Sequence, residues 1–261
     1  MRHQRIKGWL WNALVALFWL EVWQVASQWV GQELLVPAPA VVLRRLGELA
    51  VTWTFWQTVL RSCLRIMEGF LLALMLGTLL AVGTSLSKGL RRLLYPLQSI
   101  IKATPVASFI ILALVWISTR HLSIFISFLM VLPLVWSNLY QGIQKVDPKL
   151  LEMAKVFGLS TGKKLRGIYI PSVLPYFLSA ATTGLGFAWK AGVAAEVLGK
   201  PSGSIGTMLS NAKIYLETPD LFAWTIVVIL LSMAIEKGML FLFGVLQRRW
   251  RLEQPQKGGR L

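Results

Sequence analysis

The residues best placed to do chemistry lie in two stretches of the chain. One is a basic segment, KVDPKLLEMAKVFGLSTGKKLRGIYIPSVLP, from Lys145 to Pro175; the other holds two charges, Lys190 and Glu196, inside an apolar run. Within the first, GLSTGKK (158–164) superficially resembles a phosphate-binding loop. It has three residues between its glycines, no Ser or Thr after Lys163, and a predicted helix where a strand should precede it. GKPSGSIG (199–206) has no Lys after its last Gly. No nucleophile, base and orienting group are assembled, so the chain is not expected to be an enzyme. His3, His121 and the single Cys63 are isolated, and no Cys/His/Asp/Glu set has metal-ligand spacing, so no metal or bound cofactor is expected.

The basic segment carries strong helix punctuation. Asp147 is a good N-cap and Pro148 a good first helical residue. Gly158 is placed at C′, which predicts a helix of about 148–157, too short to cross a bilayer. Leu150, Leu151, Ala154 and Phe157 recur on one face, and Lys149 and Glu152 can pair weakly. Ser160 or Thr161 is placed to cap a second short basic helix before Pro171. An amphipathic helix of this kind lies on a membrane interface or docks into a partner's groove.

Lys190 and Glu196 need a different account. Intramembrane charges are functional candidates, so both are translocation-path candidates. Lys190 either faces a cavity and attracts an anion, or pairs with Glu21, Glu68 or Glu236, or snorkels to an interface.

The elements that position these residues follow from composition. Of 261 residues, 56% are hydrophobic and 15% charged, and the mean hydropathy is +0.62. A soluble domain carries about 25% charged residues. The chain therefore reads as an all-α integral membrane protein. Segments near 9–30, 58–84, 97–117, 122–143, 171–198 and 223–246 are long and apolar enough to span. The first is read as a retained helix rather than a cleaved signal, since the apolar run continues to Val30. Its Glu21 needs a partner or a protein-facing position. Residues 1–54 thus form a basic tail, one helix and an outer loop; 55–246 form a five-helix core; 247–261 form a basic tail, with QPQKGGR (254–260) expected to be disordered.

The net charge of +16 does not signal nucleic acid here, because the basic residues sit in tails and loops. Segments 1–8, 85–96, 144–170 and 247–261 hold 17 Lys/Arg against 7 on the other side. The positive-inside bias places both termini in the cytoplasm. Gly69, Ala73, Gly77 and Ala81 form one small-residue stripe; Ala180, Gly184, Ala188 and Gly192 form another. Four-residue spacing predicts close helix packing along both. Thr104-Pro105 and Pro133 are expected to kink the third and fourth spans.

The basic segment resembles the EAA loop of permease subunits of ATP-binding-cassette importers. That pattern is Glu-Ala-Ala, three residues, Gly, nine residues, Ile, any residue, Leu-Pro. This chain has Glu152-Met153-Ala154, Gly158, Ile168 and Ile170-Pro171 at matching spacing, with Met153 and Ile170 as apolar departures. GLGFAWKAGVAAEVLG (184–199) and PSGSIG (201–206) resemble binding-protein-dependent permeases of the nitrate, sulfonate and taurine type. The resemblance runs from about Phe55 to Leu246. It implies a type I importer fold with five core helices in a bacterial-type inner membrane. It also implies a permease homodimer, two ATPase subunits holding ATP and Mg, and an extracytoplasmic solute-binding protein. On this reading Glu152, Met153, Ala154, Phe157, Gly158, Ile168 and Pro171 couple the permease to the ATPase. A membrane enzyme or assembly factor using Lys190 and Glu196 would leave the basic loop unexplained. A secondary transporter with inverted repeats would need no docking helix, and no internal repeat is visible.

Overall fold

The computed structural model describes residues 2–251; the predicted disorder of 254–260 lies outside them. Among the described residues the structure is helical throughout. Helix α1 (Arg2–Val30) is followed by α2 (Pro39–Ala50), α3 (Trp53–Leu86), α4 (Lys88–Ala103), α5 (Val106–Ala113) and α6 (Thr119–Gln144). Then come α7 (Pro148–Val156), α8 (Thr161–Lys164), a π turn (Leu165–Tyr169), α9 (Ile170–Gly199), α10 (Ile205–Ile214) and α11 (Thr218–Arg251).

Five helices are long and apolar enough to cross a membrane, and the α4–α5 pair makes a sixth, bent crossing. The kinked span expected at 97–117 instead starts earlier and is broken in two. Helix α4 starts at Lys88, capped by Ser87, whose hydroxyl accepts from Leu90 N. Thr104 ends it, Pro105 opens α5, and the two meet at 104°. Proline forces the preceding residue out of helical geometry, so Thr104-Pro105 breaks the rod rather than bending it. The pair still returns the chain across the bundle, because the starts of α3 and α6 share one cavity with the loop after α9. Pro133 differs: it stays inside continuous α6.

The core is a three-helix stack with α6 between α3 and α9. Lipid tails give apolar helices little reason to associate, so close van der Waals approach must hold them. Both predicted stripes are buried and face α6. A Cβ at Gly69 would sit 2.2 Å from the Ile124 carbonyl oxygen. A Cβ at Gly192 would sit 2.6 Å from both Ile66 Cγ1 and Ser127 Oγ. These distances leave room only for hydrogen. Ser127 Oγ also donates to the Ala188 carbonyl at 3.0 Å, and Trp136 Nε1 to Thr84 Oγ1 at 2.9 Å.

Two short helices occupy segments expected to be loops. Pro39 starts α2, and its Arg45 forms an ion pair with Asp220 of α11, with a second bond from Nη2 to Oδ2 of 3.0 Å. Arg45 also donates to Glu48 at 3.0 Å, and that bond lowers the Glu48 pKa below its ordinary value. Helix α10 is capped by Ser204, which accepts from Thr207 N at 3.1 Å. Helix α1 joins the rest through Trp23, whose ring stacks on Phe222 and whose Nε1 donates to the Pro37 carbonyl. Glu21 is exposed and forms no ion pair among the described residues.

Candidate functional site

The 145–171 loop folds as its punctuation demands. Asp147 accepts from Lys149 N at 2.9 Å, Pro148 occupies the first turn, and α7 ends at Val156, one residue short of the expected 157. Gly158 has φ +60, and Leu159 N reaches back to the Ala154 carbonyl at 2.9 Å. That six-residue closure requires a left-handed residue at C′, which glycine supplies without strain. Lys149 and Glu152 do not form the expected pair within 4.0 Å. The second basic helix does not stand apart either. Helix α8 runs through the π turn directly into α9. Pro171 has no N–H and its ring crowds the carbonyl four residues back; the wider turn, closed by Ile170 N to Leu165 O, accommodates it.

The loop has two faces. Ala154 is fully buried, and with Val146 and Ile168 it forms a small core under Leu151, Leu159, Tyr169 and Val173. The expected single apolar face is therefore divided. Leu151 and Ala154 point inward, while Leu150, Met153, Val156 and Phe157 are exposed. Val156 and Phe157 are 84% and 74% exposed, an unusual position for large apolar side chains outside the membrane span. Glu152 is exposed beside them. Ala154, expected at or beside a partner contact, is enclosed by its own loop and shapes it from within.

Glu196 also has a structural setting. It is fully buried and touches none of the cavities described below. Its Oε2 accepts from Ser62 Oγ at 2.7 Å and from Gly206 N at 3.3 Å. Ser62 Oγ in turn accepts from Ile205 N at 2.9 Å. The carboxyl group thus sits at the start of α10, where free backbone N–H groups point toward it. It ties α3, α9 and α10 together. Arg65 Nη1 lies 3.8 Å from Oε1, and neither atom has a hydrogen-bond partner.

Three cavities lie along the α3–α6 pair. At the end where both helices start is one of about 480 Å³ lined by Arg61, Arg65, Glu68, Arg120, His121 and Ser202. A second cavity of about 500 Å³ adjoins it through His121 and Ile124, with an apolar wall of Leu72, Met75, Leu76, Phe125 and Phe128. At the opposite end, a third of about 230 Å³ is lined by Arg91, Lys102, Trp136, Ser137 and Tyr140. There Arg91 lies 4.4 Å over the Tyr140 ring, and Lys102 Nζ donates to Ser137 Oγ at 3.0 Å. The two end cavities have polar linings, and the one between them is apolar.

The model of the family described as binding-protein-dependent transport system inner membrane component matches residues 73–252. The chain belongs to that family. The permease is 28% identical over 223 residues to the putative aliphatic sulfonates transport permease protein SsuC of Bacillus subtilis, covering 84% of this chain and 80% of that one. It is 27% identical over 233 residues to the taurine transport system permease protein TauC of Escherichia coli, covering 87% and 83%. It is 28% identical over 223 residues to the nitrate import permease protein NrtB of Synechococcus elongatus, covering 81% and 79%. A crystal structure of an amino acid ABC transporter with histidines superposes with a TM-score of 0.58, covering 75% of this chain and 93% of that one at 17% identity. That likeness speaks to the fold, which is that of an ABC importer permease.

Within the permease, Lys190 stands apart from the other charges. It is exposed on α9, pairs with neither Glu21, Glu68 nor Glu236, and lines none of the three cavities. The charges lining the first cavity are not candidates from sequence. Arg61 and Arg65 are four apart, and so share a helix face; that spacing was the available signal.

Proposed function

We propose that this permease passes a small oxyanion-bearing solute through the membrane, driven by a separate ATPase that docks on α7. Two ATPase subunits holding ATP and Mg, a second copy of this chain and an extracytoplasmic binding protein complete the assembly. Both termini and the 145–171 loop face the cytoplasm on this reading, in line with the 17 to 7 basic bias.

The observation that carries the ATPase role is the exposed edge of α7. A helix with its back fixed by Ala154 and Ile168 and its front bearing Met153, Val156 and Phe157 suits insertion into an apolar groove of a partner. Glu152, Met153 and Phe157 make the contact. Ala154, Gly158, Ile168 and Pro171 hold the loop in the shape that presents it. The continuous α8–π–α9 segment then carries displacement of the loop into the bundle. The solute class rests on the relatives: their names specify sulfonates, taurine and nitrate, all of which present a small oxyanion group.

The test is Phe157→Asp, purified with its ATPase and reconstituted with loaded binding protein. The expected result is normal membrane abundance with ATPase association and stimulated hydrolysis both reduced by on the order of ten-fold, as for loss of an interface anchor. Wild-type association and hydrolysis would remove α7 as the coupling element.

A further inference from the structure

We propose that Arg61, Arg65 and Arg120 form a cationic vestibule that receives the oxyanion group of the solute at the end of the bundle remote from the coupling loop. The inference rests on the oxyanion-import reading and assigns it a place. Helix α6 runs from the cavity holding Arg120 to Gln144, next to α7, so the vestibule lies at the opposite end of α6 from the ATPase-docking loop.

Charge and geometry support it together. Three guanidinium groups share a cavity of about 480 Å³ with one carboxylate, Glu68. Arg61 and Arg120 are exposed and form no ion pair among the described residues. Arg65 is the fixed wall: 15% exposed, it donates from Nη2 to the Ser202 carbonyl at 3.3 Å. The Glu196 carboxylate behind it lies 3.8 Å away and is hydrogen-bonded to Ser62 and Gly206 instead. The cavity therefore keeps an excess of positive charge after Glu68 and Glu196 are both counted. Guanidinium forks match the planar or tetrahedral oxygens of nitrate, carboxylate and sulfonate groups.

The surroundings hold this charge in place. Gly203 has φ +62, and a Cβ there would lie 2.5 Å from Arg61 Nη1, so the loop after α9 leaves space for that guanidinium. His121 hydrogen-bonds Ser118 at 3.0 Å and stands between the basic cavity and the apolar one. An anion held at the vestibule meets an apolar wall next, where desolvation opposes further entry. The basic cavity thus concentrates anions before a barrier.

The experiment uses the complete importer in phosphatidylcholine vesicles, which hold no net-anionic headgroups. Ser202→Cys, in a Cys63→Ala background, is labelled with anionic and cationic methanethiosulfonates. The anionic reagent should react on the order of ten-fold faster, and high salt should collapse the difference. Arg61→Gln and Arg120→Gln should each reduce that preference several-fold, while Arg120→Lys keeps it. Millimolar methanesulfonate or nitrate should protect the cysteine, and in uptake assays Arg120→Gln should raise KM for the anion by on the order of ten-fold at normal abundance. Equal reaction rates, no protection, or an unchanged KM would overturn the proposal while leaving anion import intact. Protection that requires phosphatidylglycerol would assign the cavity to lipid and overturn it too. If the wild-type complex takes up no anion, the import reading itself fails and the proposal falls with it.

Discussion

Replacing Glu196 by alanine removes the acceptor that joins three helices. Ser62 Oγ loses its 2.7 Å bond and Gly206 N its 3.3 Å bond, both in a site closed to solvent. Hydrogen bonds to a carboxylate contribute about 1.5–3 kcal/mol each in proteins. Bonds between helices in lipid contribute less, about 1 kcal/mol. The longer Gly206 bond belongs at the low end, so the loss should be about 2–4 kcal/mol before any gain from relaxation. That corresponds to a fall in melting temperature of roughly 5–10 °C. Glu196→Gln keeps an acceptor for Ser62 and should lose about half as much. Thermal unfolding of each variant in nanodiscs, followed by tryptophan fluorescence, measures this directly. If Glu196→Ala melts with the wild type yet loses uptake, the carboxyl group serves the solute and the structural account of it is wrong.

Gly69→Ala puts a methyl where the Ile124 carbonyl lies at 2.2 Å, so α3 and α6 must separate by about 1 Å, at about 1–3 kcal/mol. Reduced thermal stability should follow, while Gly162→Ala, with open space around it, should match the wild type. Arg45 holds the Glu48 pKa below its ordinary value, so the contribution of that pair is fully present above the unfolded carboxylate range and is lost as pH falls through the depressed value. Exchange protection in α2, taken relative to the intrinsic amide rate at each pH, should therefore fall on acidification, and Glu48→Gln should remove part of that dependence. Lys190 has no ion-pair partner among the described residues, so Lys190→Gln should change stability by less than about 0.5 kcal/mol, read as unchanged membrane abundance.

Local signals made much of this fold legible. Asp147, Pro148 and Gly158 punctuate α7 within a dozen residues, and the structure ends that helix within one residue of expectation. The two small-residue stripes identified the packed faces of α3 and α9, because a four-residue repeat maps onto one face of any helix. What escaped depends on residues far apart in the chain. Helix α2 is fixed to α11 by Arg45 and Asp220, 175 residues away, and nothing local announces that partner. The ties of Glu196 are not legible locally either, because Ser62 and the start of α10 are distant from it in sequence. The vestibule draws on α3, α6 and the loop after α9, so it exists only after folding. The break at Thr104-Pro105 had its local signal, but a proline can also sit inside an unbroken spanning helix, as Pro133 does in α6.

The coupling role of α7 is tested most directly by site-specific cross-linking in the assembled importer. Single cysteines replace Met153, Ala154, Phe157 or Ile168 in a Cys63→Ala chain, and a short thiol-to-amine cross-linker probes the ATPase. The exposed positions 153 and 157 should join the two subunits, and the yield should change when ATP closes the ATPase. The enclosed positions 154 and 168 should not react. Cross-links at 154 or 168 but not at 157, or none at any position in an active complex, would contradict the account of how this permease meets its motor.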